Sequence, residues 1–90
     1  MQLPVTLTLP TARQTSQALA QAVAALPVGG TLRVDASALA DLDTSALAVL
    51  LEGRRQAQAR GLTWQLDAAP PKLRQLAGLY GVQDLLLPTP

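Results

Sequence analysis

The sequence predicts an α/β fold built on a mostly parallel sheet. Three observations carry this reading: segments that alternate apolar and polar residues with period two, segments between them whose apolar residues recur every three or four positions, and connections only a few residues long. Strands that follow one another through helices pair in parallel, because a tight hairpin cannot join them. The pattern gives four strands packed by three or four helices in one domain, residues 1–90.

Residues 5–9, VTLTL, alternate apolar and hydroxyl side chains between Pro4 and Pro10, as a short edge strand does. From Thr11 the period changes, and Ala18, Leu19, Ala22, Val23 and Leu26 mark an amphipathic helix that stops before Pro27. Gly29 and Gly30 then turn the chain into TLRVD, residues 31–35, where Leu32 and Val34 share one face. ASALAD is a loop or single turn. Asp43 or Thr44 caps a long helix running to about Arg60, with Gly61 just past its end. LTWQL, residues 62–66, is the third strand, and Pro70-Pro71 open a helix with the stripe Leu73, Leu76, Ala77 and Tyr80. LLLP, residues 85–88, closes the pattern as a short fourth strand.

Composition removes several function classes. Seven basic against six acidic residues, with only Trp64 and Tyr80 aromatic, provide neither the basic face nor the stacking platform of a nucleic-acid binder. The absence of Cys excludes thiolate chemistry, and the absence of His removes imidazole catalysis and most zinc sites. Gly29-Gly30 precedes a strand, whereas phosphate-cradling loops follow one. Thr44 and Ser45 have no nearby base in sequence, and Asp35, Asp41 and Asp43 would at most hold a cation loosely, so no catalytic residue, cofactor or metal is expected. The start MQLPVTLTLP lacks a basic flank and a long apolar stretch, and no apolar run is long enough for a membrane span. The expectation is a soluble cytoplasmic protein.

DLDTSALAVLL, residues 41–51, is the most informative stretch. A helix start needs one capping side chain, yet Asp43, Thr44 and Ser45 stand in a row. Either the extra hydroxyls only satisfy free N–H groups, or they are displayed for recognition or modification at a place where α/β folds commonly meet ligands and partners. The following residues are apolar around the whole helix, although a helix on a sheet needs one apolar stripe. Leu47, Leu50 and Leu51 suit the core. Ala46, Val49, Gly53 and Ala57 form a small-sided stripe that serves either close packing inside the domain or docking of another protein. Arg54, Arg55 and Arg60 read as a solvated end near the negative pole of the helix or as an interface rim. Tyr80 reads as core or semi-buried packing with its hydroxyl reaching outward, and Trp64 as core.

The segment VDASALADLDTSALAVLLEGRRQAQARGLTWQL resembles the centre of a STAS domain, and PPKLRQLAGLYGVQDLLLP resembles that family's last helix and tail. Within the family the likeness is to the MlaB-type STAS subunit of bacterial phospholipid-transport ABC systems, which similarly pairs Asp-Thr before the helix with Leu-Tyr near the end. It is clearest over residues 32–88. The resemblance implies a non-enzymatic regulatory or assembly subunit that binds the transporter's cytoplasmic ATPase, contacts the membrane only through that complex, and thereby bears on lipid asymmetry. It implies a partner-binding set of Asp43, Thr44, Ser45, Leu47, Ala48, Leu51, Arg55 and Tyr80, with Thr44 foremost. Self-association of the isolated chain through its apolar helix face is a further expectation. The alternative within the family is an anti-sigma factor antagonist switched by phosphorylation at Ser45. Ala46 stands where such antagonists carry Gly, which argues against that alternative.

Overall fold

Every strand pairing in the computed structural model, which describes residues 1–87, is parallel. The chain runs β1 (Thr6–Leu7), α1 (Leu9–Ala25), β2 (Thr31–Asp35), β3 (Asp41–Leu42), α2 (Thr44–Ala59), β4 (Thr63–Asp67), α3 (Pro71–Leu79) and α4 (Gln83–Leu86). The four strands form two short ladders, β1 with β3 and β2 with β4. The bridge Gln2↔Asp35 joins them, reinforced by Leu3 N–H on the Asp35 carbonyl at 2.8 Å and Asp35 N–H on the Met1 carbonyl at 2.7 Å. Pro4 lacks an N–H and Val5 bends the chain, which explains why the ladders are not continuous.

Three expectations change. The first strand ends at Leu7, because Thr8 caps α1 and Leu9 and Pro10 are already helical. Proline's fixed φ and missing N–H suit the first turn of a helix, so Pro10 opens α1 where the sequence reading made it a strand boundary. The residues read as a loop before the long helix end in a strand of two residues, β3, too short for alternation to reveal. Leu85 and Leu86, read as strand, lie in α4, while Pro88 of that segment is outside the described residues.

The core is aliphatic and lies between the strands and the helices. Leu32 and Val34 of β2 and Trp64 and Leu66 of β4 are buried on one face, against Leu19 and Val23 of α1 and Ala46, Leu47, Val49, Leu50 and Ala57 of α2. The other face of the β2–β4 ladder carries Thr31, Arg33, Asp35, Thr63, Gln65 and Asp67, which are exposed or half-buried. Arg33 reaches across that face to Asp67 at 3.3 Å. Trp64 is core as expected, and its indole N–H is satisfied by the Leu86 carbonyl at 3.2 Å, which fastens α4 to β4.

The small-sided stripe of α2 faces inward. A Cβ built on Gly53 would lie 3.1 Å from Leu19 Cδ1 and 3.4 Å from Trp64 Cζ3, so glycine there permits close approach of α1, α2 and β4. Ala46, Val49 and Ala57 are buried with it. Internal packing therefore accounts for this stripe, and docking through it is excluded. At the far end of α2, Arg60 donates through Nε and Nη2 to the Leu26 carbonyl at 3.2 and 3.0 Å, tying the C-termini of α1 and α2. Among the described residues no helix is long and apolar enough to cross a membrane.

Candidate functional site: the paired helix starts

Asp43 joins two helices. Its Oδ1 accepts the Ser45 N–H at 2.8 Å, which caps α2, and its Oδ2 accepts the N–H of Leu9, the first residue of α1, at 3.1 Å. An ionised carboxylate is well suited to both tasks, since each helix start presents unpaired N–H groups and a positive dipole end. Burial pushes the Asp43 carboxyl upward. The backbone N–H groups of Ser45 and Leu9, the Ser45 hydroxyl and the charge of Lys72 outweigh it, and the pKa settles below the usual aspartate value.

With capping assigned to Asp43, the neighbouring hydroxyls are free of that duty. Thr44 is exposed and, among the described residues, its hydroxyl has no hydrogen-bond partner; Ser45 is half-buried. From Thr44 the solvent-facing side of α2 continues through Ala48, the half-buried Leu51 and Glu52, and Arg55, at spacings of three and four residues. Glu52 holds Arg55 with an Nε–Oε2 contact of 2.8 Å and a second contact from Nη2 to Oε1. These bonds from Arg55, with one from Gln56, lower the Glu52 carboxyl to about 2.

The predicted set is thus divided. Asp43, Thr44, Ser45 and Ala48 come together at the α2 start, and Leu51 and Arg55 extend the same side. Leu47, expected at the partner surface, is only 5% exposed and belongs to the core, because it lies about 100° around the helix from the exposed Ala48, on the side turned inward. Tyr80, expected to be core or semi-buried, is 58% exposed at the C-cap of α3 beside Leu79, which is 78% exposed. It stands near the end of α3 away from Lys72, whose charge acts on Asp43.

Sequence reasoning missed Leu9. Placed in the VTLTL alternation it looks like a strand residue on the same face as Leu7, but it opens α1 with 73% of its surface exposed. Its N–H bond to Asp43 sets it beside the α2 start. The signal available was Thr8 followed by Leu9-Pro10, a helix opening in which Thr8 is the cap and Pro10 lies in the first turn. Among the described residues no group of three or more Cys, Asp or Glu side chains is disposed to hold a metal ion.

This arrangement presents an exposed hydroxyl and small and aliphatic side chains on two helix starts joined by Asp43, which suits contact with another protein surface. A search of curated proteins finds no match to the chain. The family model described as Mlab, STAS domain matches residues 2–88, nearly the whole sequence, including the N-terminal segment where the resemblance was least evident. The chain therefore belongs to the MlaB-type STAS domain family.

Proposed function

We propose that this protein is a non-enzymatic subunit that binds the cytoplasmic ATPase of an Mla-type phospholipid ABC transporter and supports its assembly or activity. It would then lie at the inner membrane through the complex alone. Membership of the family supports a protein-binding role. The observation that carries the site is the division of labour at the α2 start: Asp43 caps α2 and accepts the Leu9 N–H at the start of α1, and Thr44 is left exposed beside Ala48 and near Leu9. The docking surface we assign is Thr44, Ser45, Ala48 and Leu51, with Leu9 added from the α1 start and Arg55 at the rim.

Co-purification with a co-encoded ABC ATPase tests this reading. Wild type is expected to retain the ATPase, and Thr44→Arg and Ala48→Glu are expected to release it while keeping their fold. Retention by both variants at wild-type level would refute the site. Absence of any binding by wild type would refute the partner.

The switched-antagonist alternative is less well supported. A phosphate on Ser45 would gain from the helix dipole but would stand against the ionised Asp43 carboxylate, a like-charge contact at the residue that caps α2 and holds the start of α1. Intact-mass measurement after incubation with a kinase and ATP distinguishes the two readings.

A further inference from the structure

Among the described residues strand β4 has one unpaired edge, and its face is self-complementary. The Thr63 N–H donates to the Gly30 carbonyl at 2.9 Å, and the Asp67 carbonyl accepts the Ala36 N–H at 2.9 Å. The parallel ladder with β2 therefore uses the backbone groups of Thr63, Gln65 and Asp67. Successive strand residues point to opposite sides, so Trp64 and Leu66 turn their N–H and C=O groups away from β2. Among the described residues these groups have no backbone partner. Sheet edges are commonly guarded by brevity, Pro, Lys or a bulge. β3, with two residues, is guarded by brevity; β4 has five residues, Thr-Trp-Gln-Leu-Asp, and no such guard.

We propose that β4 pairs antiparallel with β4 of a second copy of this chain, about a two-fold axis at Gln65. The outward groups fix the register. Trp64 exchanges both backbone bonds with Leu66 of the second copy, and Leu66 does the same with Trp64, so every outward N–H and C=O of these residues is used. On the polar face Gln65 meets Gln65 and Thr63 meets Asp67 of the second copy, which opposes no like charges and offers the Asp67 carboxylate a hydroxyl donor. On the helix side Trp64 meets Leu66. A crevice of about 320 Å³ lined by Thr63, Trp64, Asp84 and Leu85, among others, opens beside the first half of the strand. Leu85, 42% exposed there, is placed to be covered by the second copy. The edge is separate from the α2 start, so this inference does not depend on the ATPase reading.

The native chain has no cysteine, so single introduced cysteines report the register without background. Directly opposed residues that do not exchange backbone bonds lie about 4.5 Å apart at Cα, within reach of a disulfide. Under mild oxidation Gln65→Cys is expected to form a covalent dimer, whereas Arg33→Cys, on the same face of the inner strand, remains monomeric. Mixing Thr63→Cys with Asp67→Cys is expected to give the crossed dimer in preference to either self-linked one. Sedimentation of the wild type is expected to show a concentration-dependent doubling of mass, which Gln65→Lys abolishes while keeping the melting temperature that wild type has at concentrations where it is monomeric. A wild type that stays monomeric at every concentration overturns the proposal, as does equal cross-linking of Gln65→Cys and Arg33→Cys.

Discussion

Leu47 and Ala48 are adjacent in sequence and should separate folding from binding completely. Leu47→Ala removes three carbon atoms from a side chain that is 5% exposed. At about 0.8 kcal/mol per buried carbon the transfer loss is about 2.4 kcal/mol, and the cavity left among Leu50 and its neighbours raises the total to about 3 kcal/mol. In a domain of this size each kcal/mol is worth roughly 4–8 °C, so the melting temperature should fall by about 12–24 °C. Ala48→Glu changes an exposed helix position and should move stability by no more than about 0.5 kcal/mol. In the docked state its carboxylate would lie unpaired in an apolar contact, which costs several kcal/mol and should weaken binding at least a hundredfold. Thermal melts by circular dichroism, and titration against the proposed ATPase partner below the melting range of each variant, measure the pair. Leu47→Ala melting like wild type, or Ala48→Glu binding like wild type while Leu47→Ala, still folded, does not, would refute this separation of core from surface.

Other outcomes follow from the same packing and charges. Gly53→Leu should lower stability by about 1–3 kcal/mol in a chemical melt, because Leu19 and Trp64 already bracket the position, whereas Gly53→Ala should be nearly neutral as the helix-propensity gain offsets a contact that Leu19 can relieve. Asp43→Ala should lower the melting temperature by several degrees and Asp43→Asn by less, since Asn caps α2 but cannot offer carboxylate oxygens to both Ser45 and Leu9. The Asp43 pKa is lowered on folding, so its stabilisation is present above the ordinary value of 3.8 and is lost as pH falls through the lower folded value; wild type and Asp43→Ala should therefore converge in stability on acidification. Glu52 should titrate near 2 by carboxyl NMR, against an ordinary 4.5, and Arg55→Ala should return it toward 4.5. Any stabilisation from Glu52 is thus present above pH 4.5 and fades between 4.5 and 2, and being exposed it should shrink further with added salt.

The parts of this fold that were legible in the sequence are those long enough to show a period. β2 and β4 alternate over five residues each, and α2 runs from an Asp43 cap to Gly61, where φ is +76°. β3 was hidden because two residues carry no alternation, and its pairing with β1 is a tertiary fact. The β1–α1 boundary was hidden because Thr8-Leu9-Pro10 continues the VTLTL pattern until one sees that Pro10 fits a first helical turn. α4 was hidden because a short leucine run has no period that separates strand from helix.

The candidate site was legible as a place and less so as a surface. The row Asp43-Thr44-Ser45 located the helix start, but residues 46–51 are apolar on all sides, so the sequence alone does not tell the core side at Leu47 from the solvent side at Ala48. Leu9 is 34 residues from Asp43 in sequence, and only the shared carboxylate brings it to the site. Tyr80 joined the expected stripe of α3 through its spacing from Leu73 and Ala77, but it falls at the C-cap, where the chain leaves the helix and the ring turns to solvent.

Hydrogen exchange of the free chain and of its mixture with a co-encoded ABC ATPase, the proposed partner, reports where contact occurs without a substitution. The prediction is added protection in peptides covering residues 8–12 and 43–52, with β4 unaffected. Unchanged exchange at 43–52 in a mixture that does form a complex would contradict the assignment of the paired helix starts as the docking surface.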